Sequence, residues 1–247
     1  MTLERVLEGV VNQADKPRVH ISAQFNAELE GVRNDLMTMG GLVESQIEHA
    51  IEAALDGDSA RAENAIELDL EVNELERSID EQCTRILVLR QPAAGDLRLV
   101  LATIKVTNDL ERIGDEAVKI SRQAIELSEG GALESASARV RELAVSVNSL
   151  LKDSLDSFAR LQVNEAATII LRDDDIDEAY TAAKTWLTSE IQAHPETLEA
   201  SLAYLGILKS LERVADHAVN IAEQVIFLTR GVDVRHLDTL VVRDLVS

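Results

Sequence analysis

The sequence predicts an all-α protein built as a tandem repeat of two antiparallel three-helix bundles. Apolar residues make up 46% of the 247 residues, with only three prolines to interrupt helices. Apolar positions recur with the 3.6-residue period of a helix over long segments that are separated by short breaks. Residues 97–123 also align without a gap to residues 198–224, so that "LERIGD" returns as "LERVAD". That spacing is too long for a solenoid repeat and indicates a duplicated domain.

Six helices are predicted in chain order. The first three cover residues 22–55, 59–90 and 94–128, and the second three cover residues 136–161, 164–193 and 196–230. The connections "LDGDSA", "RQPAAGD", "ARLQVNEA" and "AHPET" are short, so consecutive helices must run antiparallel. The predicted divisions are a disordered leader over 1–20, a first bundle over 21–129, a second bundle over 136–231 and a C-terminal tail over 232–247.

Charge and composition narrow the classes of partner. The formal net charge of -21 disfavours direct binding to nucleic acid or anionic lipid, because both require clustered Lys and Arg. No stretch approaches the roughly 20 apolar residues of a membrane span, and the N-terminus lacks the features of a secretory signal. Cys83 is the only cysteine and suits a reducing compartment. We therefore expect a cytoplasmic protein that meets membranes only through a partner complex.

A helical wheel separates three faces of the third predicted helix. The apolar face consists of Ala102, Val106, Leu110, Ile113, Ala117 and Ile120. The charged face consists of Arg98, Lys105, Asp109, Arg112 and Glu116, and it is predicted to face water. Glu111 and Asp115 belong to neither face and lie on a largely apolar flank. Two carboxylates at i and i+4 on such a flank repel each other and require a cation.

The residue counts around two prolines place further oxygen ligands opposite these acids. Asn73 and Glu111 each lie 19 residues from Pro92, and Asp69 and Asp115 each lie 23 residues from it. In an antiparallel hairpin the members of each pair lie at the same level.

The second half repeats this arrangement around Pro195. Asp177 and Asp173 lie on the helix that precedes this proline, at about the level of Glu212 and Asp216 on the helix that follows it. Each bundle is therefore predicted to present four oxygen-bearing side chains at one level.

An oxygen-only set of ligands suits hard cations, and the candidates are Mg²⁺, Ca²⁺, Mn²⁺ and iron. The alternative for the acidic pairs is that they form interhelical salt bridges. Arg112 and Arg213 are predicted to pair with the acid that follows each of them, and His217 is predicted to be solvated. Neither a nucleophilic triad nor a Walker-type phosphate loop is evident, so the protein is not expected to be an enzyme.

Three segments resemble the PhoU phosphate-uptake regulators: "QFNAELEGVRNDLMTMGGLVE", "RQPAAGDLRLVLATIKVTNDLERIGDEAVKI" and "LERVADHAVNIAEQVIFLTRGVDVRH". The resemblance spans about residues 20–236. It implies two three-helix bundles that carry metal ions, in multinuclear clusters, on their acidic motifs. The implied metal ligands are Glu111, Asp115, Glu212 and Asp216, with Asp173 and Asp177 facing the second pair. Asp69 and Asn73 hold the corresponding positions in the first half, where Asn replaces an acid.

The resemblance also implies a regulatory role. A PhoU-like protein is expected to be a negative regulator of the phosphate (Pho) regulon and a modulator of phosphate uptake. It would act as a metal-binding adaptor between the phosphate ABC transporter, through its ATPase PstB, and the sensor histidine kinase PhoR. A homodimer is expected. The alternatives are a metal-dependent enzyme that uses the carboxylate clusters and a purely structural helical protein.

Overall fold

The structure is a computed structural model that describes residues 23–235, and this part of the chain is helical throughout apart from short connections. The helices are α1 (Ala23–Asp56), α2 (Ser59–Arg90), α3 (Ala94–Gly130), α4 (Glu134–Arg160), α5 (Val163–Ala193) and α6 (Leu198–Arg230). A 3-10 turn, Pro195–Thr197, precedes α6. Every predicted helix end lies within two residues of the observed one. The predicted leader over 1–20 and residues 236–247 of the predicted tail lie outside the described residues.

The helix ends follow from local chemistry. Asp58 caps the start of α2, where its carboxylate accepts a hydrogen bond of 3.1 Å from the backbone N–H of Arg61. Gly231 ends α6 with φ of +72°, a left-handed conformation that glycine adopts without a steric penalty. These abrupt ends keep the connections short and fold each set of three helices back on itself. None of the described helices is both long enough and apolar enough to cross a bilayer.

The two bundles join mainly through their third helices. α3 and α6 pack against each other more extensively than any other pair of helices, and they run antiparallel. Lys105 Nζ lies 5.2 Å from the centre of the Phe227 ring at one level of this interface. Farther along, a Cβ built on Gly206 would lie 3.1 Å from Gln123 Oε1. The small Gly206 thus permits the close approach of α6 to α3.

The predicted apolar face of α3 is buried as expected, but the prediction that its charged face meets water is wrong for two of its acids. Glu116 retains only 3% of its side-chain exposure and Asp109 only 16%. The wheel describes one helix in isolation, whereas these acids face α6 of the other bundle. Asp109 Oδ1 there accepts a hydrogen bond of 3.0 Å from Asn220 and lies 2.9 Å from His217 Nδ1.

The environments of Arg213 and His217 therefore differ from the predicted ones. Arg213 pairs with Glu116 of the first bundle at 3.0 Å, so the predicted pairing with the following acid, Asp216, is wrong. Lys119 donates to the same Glu116 oxygen at 2.9 Å. His217 is 18% exposed because it contacts Asp109, so the prediction of a solvated imidazole is also wrong. Both residues connect the two bundles.

Arg213→Met is expected to lower the free energy of unfolding by about 1–2 kcal/mol, because Glu116 then keeps one cation instead of two in a buried position. Urea unfolding followed by circular dichroism measures this change. Arg112→Met is the matched control, since Arg112 occupies the equivalent position in the first repeat. Arg112 makes only looser ion pairs of 3.4 and 3.8 Å, so its loss should cost less than about 0.5 kcal/mol. Equal losses in the two variants would contradict this account of Glu116.

Candidate metal centre

The first acidic cluster lies between α2 and α3. α2 contributes Asp69 and Asn73, and α3 contributes Glu111 and Asp115. Asn73 Nδ2 donates a hydrogen bond of 2.9 Å to Asp69 Oδ2, which fixes both side chains on the same face of α2. The pKa of Glu111 is raised first by burial and then by the charge of Asp115, with smaller contributions from Glu76 and Asp69. The two helices thus bring their acids within electrostatic reach of each other.

Gly114 allows α3 to approach α2 and α1 closely at this level. A Cβ built on Gly114 would lie 3.1 Å from Gln46 Oε1 and 3.4 Å from Asp69 Oδ1. Gln46 is fully buried, and its Oε1 has no hydrogen-bond partner within the part of the chain that the structure describes. A buried acceptor without a donor is costly. Gln46 therefore adds to the first cluster an oxygen that is free to accept a hydrogen bond or to bind a cation.

The second acidic cluster lies between α5 and α6. Its members are Asp173 and Asp177 on α5 and Glu212 and Asp216 on α6. Burial, followed by the charges of Asp177 and Asp216, raises the pKa of Asp173 to about 6. Burial and the charges of Glu212 and Asp177 likewise raise the pKa of Asp216. The acids of α5 and α6 therefore lie within electrostatic reach of one another.

A basic side chain contacts the acids of each cluster. Arg112 lies 3.4 Å from Glu111 and 3.8 Å from Asp115, so the predicted pairing of Arg112 with the following acid is present but loose. Lys209 Nζ donates to both carboxylate oxygens of Glu212, at 2.6 and 2.7 Å. These cations balance part of the acidic charge in each cluster.

The donor atoms of both clusters fit a hard cation in kind, although their side chains do not converge on one point. Within residues 23–235, no three side chains from Asp, Glu, His and Cys stand close enough together to hold an ion as they are placed. Two of the acids are instead hydrogen-bonded to neighbouring side chains, Asp69 to Asn73 and Glu212 to Lys209. To bind a cation, the carboxylates would have to rotate inward and replace their present contacts with the ion. The mutual repulsion of the acids favours this replacement, because the cation neutralises their charge.

Sequence reasoning missed Glu76, which belongs to the first cluster. Glu76 follows Asn73 by three residues on α2, and its pKa is raised by burial and by the charges of Asp80 and Asp115. The spacing of i, i+4 and i+7 from Asp69 through Asn73 to Glu76 is a signal that could have identified it.

Sequence reasoning also missed Lys209 and Gln46. Lys209 could have been identified from its i+3 spacing to Glu212, which brings the two side chains together on one face of a helix. Gln46 could not have been identified, because its place beside the first cluster depends on how α1 packs against the other two helices.

Comparison with known proteins identifies the family. The family model of the PhoU domain matches residues 36–124 and again residues 140–225. The chain belongs to the PhoU family. The double match also agrees with the duplication inferred from the return of "LERIGD" as "LERVAD".

Individual PhoU proteins resemble the chain over most of its length. The phosphate-specific transport system accessory protein PhoU homolog of Pseudomonas putida is 47% identical over 218 residues, which is 88% of this chain and 85% of that protein. The crystal structure of PhoU from Pseudomonas aeruginosa superposes with a TM-score of 0.83 at 45% identity, covering 84% of this chain and all of that one.

A more distant structure is that of the phosphate transport system regulatory protein PhoU from Streptococcus pneumoniae. It is 29% identical, has a TM-score of 0.78, and covers 85% of this chain and 98% of that one. These comparisons confirm the predicted all-α fold with two PhoU repeats. The family is accessory and regulatory rather than enzymatic.

Proposed function

We propose that this protein is a negative regulator of the phosphate regulon and a modulator of phosphate uptake. It acts as a metal-binding adaptor that transmits the state of the phosphate ABC transporter to a sensor histidine kinase. The observation that carries this proposal is the match of two PhoU domains to one chain that resembles phosphate-transport accessory proteins over most of its length. The expected partners are the transporter ATPase PstB and the kinase PhoR, which the adaptor, as a homodimer, meets in the cytoplasm.

The metal-binding part of this function is supported by the two acidic clusters. Oxygen ligands in the first come from Asp69, Asn73, Glu111 and Asp115, and Gln46 offers a further oxygen that has no donor among the described residues. The second supplies carboxylates only, from Asp173, Asp177, Glu212 and Asp216. Hard cations such as Mg²⁺, Mn²⁺, Ca²⁺ or iron bind donors of this type. When bound, a cation would fix α2 to α3 and α5 to α6 and would relieve the repulsion among the acids.

A gene deletion tests the regulatory proposal directly. Cells that lack this gene are expected to produce alkaline phosphatase in phosphate-rich medium, and the wild-type gene on a plasmid should restore repression. Alkaline phosphatase that stays repressed in the deletion strain would exclude a negative regulator. Phosphate uptake measured in the same strains should rise in the deletion strain, because the transporter then works without its modulator.

Variants of the clusters extend this test to the metal-binding adaptor. A plasmid that encodes Glu111→Gln with Asp115→Asn should fail to restore repression. The matched control is Glu63→Gln with Glu67→Gln, which changes an exposed i, i+4 pair of acids on α2 and should restore it fully. Full repression by the cluster variant, at the same protein level, would count against a role for the metal in signalling.

A further inference from the structure

We propose that the ammonium group of Lys209 partly neutralises the second cluster, so that this cluster binds metal more weakly than the first. The first cluster requires an external ion to balance its charge. The inference rests on the proposed metal-binding function. It assigns to Lys209 the role of setting the metal affinity of the second cluster.

The position of Lys209 is fixed from two helices. Its Nζ contacts both oxygens of Glu212, one turn later on α6, at 2.6 and 2.7 Å. The same ammonium group lies 5.5 Å from the centre of the Tyr180 ring on α5, which attracts a cation through its π face. Lys209 therefore bridges the two helices that carry the second cluster. A metal ion that uses Glu212 has to displace this ammonium group or bind beside it.

The first repeat has neither Lys209 nor Tyr180 at the equivalent positions. Asn108 occupies the position of Lys209 when residues 97–123 are aligned with residues 198–224. The register that aligns the facing pairs of α2 and α5 places Glu76 at the position of Tyr180. The Tyr–Lys pair of the second repeat is thus replaced by an acid and a neutral amide. Glu76 adds a carboxylate to the first cluster at the place where the second cluster has an aromatic ring.

Arg112 does not take the place of Lys209 in the first cluster. Its guanidinium lies 3.4 Å from Glu111 and 3.8 Å from Asp115, whereas Lys209 Nζ lies 2.6 Å from Glu212, and the two basic side chains are similarly exposed at 55% and 52%. At similar exposure the longer ion pairs are the weaker ones. The charge of the first cluster is therefore balanced less closely than that of the second.

Gln46 gives the first cluster an additional donor for a metal. Its Oε1 is buried beside Gly114 and has no donor among the described residues. Together with the carboxylate of Glu76, this oxygen gives the first cluster two further groups that a metal can use, and Tyr180 holds the place of Glu76 in the second cluster.

The test measures Mn²⁺ binding to the full chain by electron paramagnetic resonance of the free ion. The first cluster is silenced by Glu111→Gln with Asp115→Asn, so that binding reports on the second cluster alone. In this background Lys209→Met is expected to strengthen Mn²⁺ binding about tenfold. Removal of one positive charge near a divalent ion removes a repulsive energy that corresponds to about this change in affinity. Lys209→Arg should leave the affinity near that of the parent.

Lys184→Met is the matched control. Lys184 Nζ lies 5.8 Å from the same Tyr180 ring, and no ion pair of Lys184 is found within residues 23–235. Its replacement should leave Mn²⁺ affinity unchanged. An unchanged affinity in Lys209→Met, or an equal gain in Lys184→Met, would overturn the inference while the metal-binding proposal stands. If the unaltered chain binds no Mn²⁺ at either cluster, the proposed metal-binding function itself fails.

Discussion

Glu111→Gln combined with Asp115→Asn is expected to have opposite effects on the protein with and without metal. Binding of Mn²⁺ at the first cluster should weaken by about 100-fold or more, since two ligands are lost and loss of supporting contacts alone costs a metal site roughly 10- to 100-fold. In the presence of EDTA, however, the variant should be more stable than the unaltered chain by a few tenths of a kcal/mol, because two neighbouring carboxylates no longer repel each other.

The opposite signs distinguish a metal site from a set of structural ion pairs. If the acids served mainly as salt-bridge partners for Arg112, removal of their charge would destabilise the metal-free protein. The raised pKa of Glu111 indicates instead that burial and neighbouring acids disfavour its charge in the folded chain. A bound cation reverses this effect and should raise the free energy of unfolding by about 2.7 kcal/mol when its concentration is about 100 times the dissociation constant.

Urea unfolding in EDTA and in Mn²⁺ measures both effects. Glu63→Gln with Glu67→Gln is the control, because it removes the same charge from an exposed part of α2. It should leave the Mn²⁺-dependent stabilisation intact. A cluster variant that loses stability in EDTA and keeps its response to Mn²⁺ would favour the salt-bridge alternative.

The positions of the cluster residues could be predicted because they depend on quantities that a sequence contains. The helical period places Glu111 and Asp115 on one flank of α3. Equal distances from Pro92 then set Asp69 and Asn73 opposite them, because rise per residue is constant in a helix. A Cβ built on Gly114, the neighbour of Asp115 in the chain, would lie 3.4 Å from Asp69 Oδ1, which agrees with this register.

The charged stripe of α3 could not be predicted because its environment depends on the other bundle. A wheel assigns Asp109 and Glu116 to the polar side, and polar sides normally face water. In this fold α6 covers that side, and Arg213 and His217 supply the partners that make burial tolerable. The duplication was visible in the sequence, whereas the docking of one copy onto the other required the structure.

Glu223→Gln is expected to remove a large part of the pH dependence of stability. Glu223 is a half-buried residue of α6 whose pKa is raised to about 7, chiefly by burial and next by the charge of Asp233. Arg235, which pairs with Asp233 at 2.5 Å, offsets part of this rise. Glu223 therefore carries an unfavourable charge in the folded protein above neutral pH.

The sign follows from the difference between the folded and unfolded states. Between pH 4.5, the ordinary value, and about 7, the folded chain holds a proton on Glu223 that the unfolded chain releases. Rising pH therefore favours unfolding across this window, and the loss of stability is complete above about pH 7. After allowance for partial exposure, the cost at about pH 8 is about 1–3 kcal/mol. The amide introduced by Glu223→Gln carries no charge at any pH and avoids this cost.

Urea unfolding in EDTA at about pH 4.5, 6 and 8 measures the difference between Glu223→Gln and the unaltered chain. The two should be about equally stable at the lowest pH, and the variant should be the more stable at the highest. Because Asp173 and Asp216 also have raised pKa values, both proteins will retain some dependence on pH, and the informative quantity is the difference between them. Glu178→Gln, on the exposed face of α5, should show the same dependence of stability on pH as the unaltered chain. If the stability of Glu223→Gln had the same dependence on pH as that of the unaltered chain, the Glu223 carboxylate would have to be solvated in the folded state. Burial could then not be what raises its pKa.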